Sequence, residues 1–199
     1  PSVGKNETMF KHLSGVINDE TKRLRFQVEK VLQVSLYEHN KARYNKRELD
    51  LNKIIEDVAH TYLIKVKNVG GTLTTDLGAE NATVYGDEIH LTNVIFNLLD
   101  NALKYRREED PLQLRLTTRN DGNNIVVSVE DNGIGIKRED LHKIFDRFYR
   151  VHTGNRHDVK GFGLGLAYVK QIVGLHDGSI HAESQYGQGT NFVITLPTI

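Results

Sequence analysis

Asn93-Val94-Ile95-Phe96-Asn97-Leu98-Leu99-Asp100-Asn101-Ala102-Leu103-Lys104-Tyr105 reads as a helix with two unlike faces. Leu91, Ile95, Leu98 and Ala102 recur at helical spacing and make an apolar stripe. Asn93, Asn97, Asn101 and Lys104 recur at the same spacing on a second face. Asparagine is a poor helix former, so three in one row cost helix propensity. A solvated surface would explain the row. So would a set of amide oxygens and one ammonium aimed at a metal–phosphate group. Magnesium takes oxygen ligands and keeps several waters, which suits one amide oxygen beside phosphate oxygens, and a lysine adds a point charge.

Working outward, residues 88–105 form the whole helix, and Pro111 closes the loop after it. Before it lie a helix at 51–69, stopped by Gly70-Gly71, an alternating strand at 72–77 and a short strand at 84–87. After it, strands at 112–119 and 124–131 flank Asn120-Asp121-Gly122-Asn123, a strong hairpin turn. A short helix is predicted at 137–145, a mobile loop at 151–162 and a helix at 165–176. Strands at 179–184 and 190–196 close a last hairpin around Tyr186-Gly187-Gln188-Gly189. Helices mixed with mostly hairpin-connected strands predict an α+β, two-layer α/β sandwich. No Rossmann fingerprint is present.

Residues 8–41 are different. Phe10, Ile17, Leu24 and Val31 recur seven apart, and Leu13, Val16, Val28 and Leu32 widen the stripe. This predicts a long N-terminal helix with a coiled-coil or bundle seam, which needs a partner helix. Packing on its own globular domain is the alternative. A polar linker is expected at 40–48. The expected domains are therefore 1–46 and 47–199.

Composition narrows the chemistry. With 38% hydrophobic and 26% charged residues, the 199-residue chain has material for a packed core. Zero formal net charge speaks against a nucleic-acid binder relying on bulk positive charge. There is no cysteine, and none of the nine histidines has metal-ligand spacing. No apolar run approaches the ~18 residues of a membrane span, so this stretch is expected to be soluble.

Two glycine clusters complete the pattern. Asp131-Asn132-Gly133-Ile134-Gly135-Ile136 follows a strand and places a carboxylate at its end. A tight turn explains it equally well. Gly161-Phe162-Gly163-Leu164-Gly165-Leu166 runs into a helix, so its amides and the helix N-terminus suit an anion such as phosphate. Each cluster alone is weak. Their order is not: Asn97-x3-Asn101-x2-Lys104-Tyr105, then Asp-x-Gly-x-Gly, then Ile144-Phe145-Asp146-Arg147-Phe148-Tyr149-Arg150, then Gly-x-Gly-x-Gly, then Gly187-x-Gly189-Thr190.

This ordered set resembles the N box, two glycine boxes, F box and final Gly-Thr box of sensor histidine kinases. That family belongs to the GHKL (Bergerat-fold) superfamily, together with DNA gyrase and the mismatch-repair ATPases. The resemblance implies a Bergerat ATP-binding fold, with ATP and Mg2+ as cofactors. Asn101 would hold the metal, with Asn97 assisting at the metal or triphosphate. Lys104 and Tyr105 would contact phosphate and the sugar side. Asn97 and Lys104 are the candidate catalytic residues. Asp131 would accept from the adenine amine, supported by Thr190, and Gly133, Gly135 and Ile136 would lie along the base. Phe145 and Phe148 would anchor a lid, and Arg147 or Arg150 would reach the phosphates. Gly161, Gly163, Leu164, Gly165 and Leu166 would cradle them. His152, Arg156, His157 and Lys160 are basic neighbours, or simply a solvated loop.

ATP-hydrolysing members of the superfamily carry a water-activating glutamate four residues before the metal-binding asparagine. Here that position is Asn97, and an amide is no general base. Asp100 is close in sequence, but one residue from Asn101 is a rotation of about 100° on a helix. Phosphoryl transfer by positioning and charge neutralisation is therefore expected. The family's acceptor box needs proline five residues after histidine, and Pro1, Pro111 and Pro197 do not supply it. The N-terminal helix resembles the second helix of the family's dimerisation and phosphotransfer hairpin. Without the acceptor helix the chain is expected to bind ATP and ADP but not to autophosphorylate. The resemblance further implies a homodimer, a response-regulator receiver domain as partner, and a cytoplasmic position in a membrane-bound sensor. The rival readings are an ATP-driven clamp, a non-catalytic helical scaffold and a serine-directed kinase of the anti-sigma type.

Overall fold

The computed structural model describes residues 44–151 and 163–199. The predicted N-terminal helix and most of the predicted loop at 151–162 lie outside these residues. The unit described runs from Asn45 to Ile199. Its elements in chain order are β1 (Arg47–Asp50), α1 (Leu51–Asn68), β2 (Thr72–Leu77), β3 (Thr83–Gly86), α2 (Glu88–Lys104), β4 (Gln113–Asp121), β5 (Asn124–Asp131), α3 (Gly165–Leu175), β6 (Ser179–Gln185) and β7 (Gly189–Pro197). Among the described residues no helix is long and apolar enough to cross a membrane.

Five strands form one sheet in the order β2-β4-β5-β7-β6, packed against helices. The predicted α+β two-layer class holds. β4, β5, β7 and β6 are antiparallel, but β2 runs parallel to β4. The segment between those two contains β3 and α2, so one crossover sits in a sheet otherwise built by antiparallel pairing. Leu114 and Leu116 of β4, Val127 and Val129 of β5, and Phe192 and Ile194 of β7 are buried. So are Leu91, Ile95, Leu98 and Ala102 of α2, the stripe read from the sequence. Asp50 and Asp87 cap α1 and α2, accepting from Lys53 N and His90 N.

Two local expectations change. The end of the predicted linker is strand β1, which pairs antiparallel with β3 in a separate two-stranded ribbon. Only Leu49 of its four residues is buried, so alternation is too short to read. The predicted helix at 137–145 is a run of turns. Asp140 N, Lys143 N and Asp146 N bond three residues back, and only Ile144 N closes a four-residue step. Without a continuous i→i−4 ladder there is no α-helix.

Candidate functional site

The site is built where α2 ends. Ile134 N donates to Tyr105 O at 3.0 Å, which ties the first glycine cluster to the helix C-terminus. Gly133 N donates to Asp131 Oδ1 at 2.7 Å. A β-carbon on Gly133 would lie 2.6 Å from Tyr105 O, and one on Gly135 would lie 2.1 Å from Gln185 O. Gly135 also has φ +69. These glycines are therefore required by the protein's own backbone at two closures, whatever else approaches them.

Asp131 is partly buried, and desolvation pushes its carboxyl up to about 6 although the Gly133 and Thr190 backbone N–H groups pull it down. It pairs with Thr190 across β5 and β7, and Thr190 pairs with Ser184 across β7 and β6. Directly opposed residues share a face, so Asp131, Thr190 and Ser184 form a row across three strands.

On α2, Asn97 Nδ2 donates to Asn93 O at 2.8 Å. Its Oδ1 faces the start of α3, where a β-carbon on Gly165 would come within 2.9 Å. Asn101 is half-buried, and its side-chain amide takes no hydrogen-bond partner among the described residues. Lys104 Nζ lies 5.0 Å from the Tyr105 ring centroid. Burial, then the charge of Arg150, lowers the Lys104 pKa. Tyr105 is raised by burial against the opposing pull of Arg150. Arg150 thus brings its charge to the Lys104–Tyr105 corner.

Asp100, the nearest carboxylate, faces elsewhere. It accepts from Tyr62 OH at 2.6 Å and lies 3.5 Å from Lys65 Nζ, both on α1. The row that includes Asn97 therefore contains no general base.

α3 starts at Gly165 with no side-chain cap among the described residues. A helix start of this kind presents its first-turn N–H groups as a place for an anion. Gly163, Leu164 and Leu166 are half-buried around that start. Gly161 and Phe162 lie outside the described residues, as do His152, Arg156, His157 and Lys160. Phe148 N donates to Gly163 O at 2.9 Å, pinning the chain before the undescribed stretch to the chain after it. Phe148 holds φ 65, strained for a side chain of its size, and is half exposed. Phe145 packs edge-on against Phe192 with centroids 6.4 Å apart. Phe145 is thus the seated aromatic of the pair, whereas Phe148 sits outside the core.

Three residues escaped the sequence reading. Asn132 accepts from Gln113 N at 2.7 Å and donates to Pro111 O at 2.9 Å, so it fixes the turn. Arg107 donates to Asn132 O and Gly187 O at 3.0 and 3.2 Å, bridging the first and last glycine clusters. Ser184 accepts from Ile136 N at 2.8 Å and donates to Gly189 O at 2.7 Å. Only the last had a legible signal, since the register of the final hairpin sets it opposite Thr190.

The start of α3 meets the amide row of α2 at Asn97, and the acidic end of β5 meets the end of α2 through Ile134 and Tyr105. The family described as histidine kinase-, DNA gyrase B-, and HSP90-like ATPase matches residues 86–199, and the chain belongs to it. It is 56% identical to Sensor protein RprX of Bacteroides fragilis (strain YCH46) over 199 residues, covering all of this chain and 38% of RprX. It is 34% identical to Sensor protein kinase WalK of Staphylococcus aureus over 193 residues, covering 97% of this chain and 46% of WalK. The chain thus spans less than half the length of these relatives. Histidine kinase ThkA, solved in complex with response regulator protein TrrA, superposes with a TM-score of 0.69 at 22% identity, covering 92% of this chain and 50% of that one.

Proposed function

We propose that this chain is the phosphoryl-donor part of a sensor histidine kinase. It holds Mg–ATP and passes the γ-phosphoryl to a histidine outside this sequence, from which a response-regulator aspartate receives it. The observation that carries the reading is that acceptors and positive charge gather at the C-terminal end of α2, whose Asn97 meets the start of α3. Acceptors at Asp131 and Thr190 lie where Tyr105 meets the first glycine cluster. Lys104, Arg150 and the uncapped start of α3 supply positive potential for phosphates.

Asp131 accepts from the adenine amine, supported by Thr190, while Ile136 lies along the base. Gly163, Leu164, Gly165 and Leu166 bring the start of α3 to the phosphates, and Arg150 rather than Arg147 reaches them. The donor set suits magnesium. Asn101 offers a hard amide oxygen with no partner among the described residues. No described group of three His, Cys, Asp or Glu side chains forms a cage for a tighter-bound metal. When bound, Mg2+ would neutralise charge on the transferring phosphoryl. Asn97 positions rather than activates, because it donates to Asn93 O and an amide cannot take a proton from water. With Asp100 engaged by Tyr62 and Lys65, ATP is held without efficient hydrolysis.

ADP remains in the same site after transfer. The whole protein works as a homodimer whose cytoplasmic part this is, coupled to a membrane-bound sensor region. Calorimetry tests the core of the proposal. Mg–ATP should bind with no steady-state phosphate release, and Asn101→Ala should remove the Mg2+-dependence. No binding at millimolar nucleotide would favour a helical scaffold. Turnover abolished by Asn101→Ala would favour an ATP-driven clamp.

A further inference from the structure

Ser184 has one proton and three oxygen or nitrogen neighbours. Ile136 N donates to its Oγ at 2.8 Å. Gly189 O lies 2.7 Å away and Thr190 Oγ1 lies 3.0 Å away. A carbonyl oxygen accepts only, so an approach of 2.7 Å requires the Ser184 proton to lie between the two atoms. The contact with Thr190 must then be made by the Thr190 proton. Thr190 donates to Ser184, and its Oγ1 is left with lone pairs only. Its cross-strand partner on the other side is Asp131, directly across β5 and β7.

We propose that Ser184 is a specificity-determining positioning residue, which takes up the Thr190 proton, fixes Thr190 Oγ1 as an acceptor beside Asp131, and makes this end of the site select a 6-amino over a 6-oxo purine. The inference rests on the reading that Asp131 faces the base. An amine presents hydrogens to two acceptors. A 6-oxo group presents lone pairs to lone pairs and leaves partly buried acceptors unmatched. A hydroxyl serving only as a structural pin would need the Ile136 and Gly189 bonds alone. The third bond is the one that acts on the ligand, because it decides which way Thr190 points its proton. With Ser184 removed, Thr190 is free to rotate and donate to a 6-oxo group.

The test compares Mg–ATP with Mg–ITP, whose bases differ at the C6 group and the N1 proton that accompanies it. Affinities are measured by calorimetry on the full chain at about pH 8, where the Asp131 carboxyl is ionised. Wild type should prefer ATP. Ser184→Ala should narrow the ATP:ITP affinity ratio by about tenfold. Thr190→Val should narrow it similarly, and adding Ser184→Ala to Thr190→Val should narrow it no further. Ser184→Thr keeps the hydroxyl and should restore the wild-type ratio. An equal loss for both nucleotides in Ser184→Ala, or an unchanged ratio, overturns the proposal and leaves ATP binding intact. If Ser184→Ala does not fold, an unchanged ratio in Thr190→Val overturns it instead. Wild type binding neither nucleotide would sink the underlying site reading, an outcome distinct from both.

Discussion

Replacing Asp131 with asparagine keeps the shape of the side chain and removes its charge, so it separates what the carboxylate does for the ligand from what it costs the fold. The carboxyl moves from an ordinary 3.8 to about 6, chiefly by desolvation. A rise of about two pH units at about 1.4 kcal/mol each is ~3 kcal/mol of disfavoured ionisation. Asparagine escapes that cost and, like the protonated acid, still offers an oxygen to Gly133 N. The ligand-free Asp131→Asn protein should be more stable by up to ~3 kcal/mol above about pH 7, a Tm gain of roughly 6–12 °C for a domain of this size. The sign follows from linkage. A carboxyl whose folded pKa is raised keeps its proton longer in the folded state. Its contribution is therefore fully present below about pH 4 and lost as the pH rises through about 6. The advantage of the substitution should accordingly grow across that window and vanish below it. Mg–ATP affinity should fall by ~10- to 100-fold, the worth of a charge-assisted bond from the adenine amine. Thermal melts of the apo protein from about pH 4 to 8, with calorimetry at pH ~8, measure both effects. An unchanged ATP affinity, or a Tm difference that is flat with pH, would refute the reasoning.

Glycine positions give a sharper packing test. Gly135→Ala sets a β-carbon 2.1 Å from Gln185 O at φ +69, and should destabilise by ~3 kcal/mol or more in denaturant melts. Gly122→Ala, at φ +59 with nothing within 4 Å, should cost only ~1 kcal/mol. Arg150→Ala should weaken ATP binding by ~10-fold or more while Arg147→Ala changes it little, and equal effects would misplace the phosphate arginine. Asn97→Glu introduces the absent base next to Gly165 and should produce slow phosphate release from Mg–ATP. A rate no higher than wild type would show that more than this one group separates transfer from hydrolysis.

Much of the fold was legible because its signals are local. Helical spacing in α2, the Asn120-Asp121-Gly122-Asn123 turn and the order of the five boxes need only short-range geometry. The α+β class followed from them, and Asp131 and Thr190 were found as the ends of two strands. Strand β1 and the parallel pairing of β2 with β4 were not legible, because four residues carry too little alternation and pairing partners lie far apart in the chain. At the site, sequence supplied the residue types but not their directions.

The sequence by itself determined that Asn97, not a carboxylate, stands four residues before Asn101, and that a carboxylate closes β5. Only the tertiary structure decided that Asp100 is engaged by Tyr62 and Lys65, that the charge of Arg150 is felt at Lys104, and that Gly135 is demanded by Gln185. It also gave Ser184 its place beside Thr190 and Ile136. The physical reason is the range of the interactions. Helix and turn preferences act within about four residues. The direction of a proton or a charge is set by whatever non-local neighbour the closed sheet brings within a few ångströms.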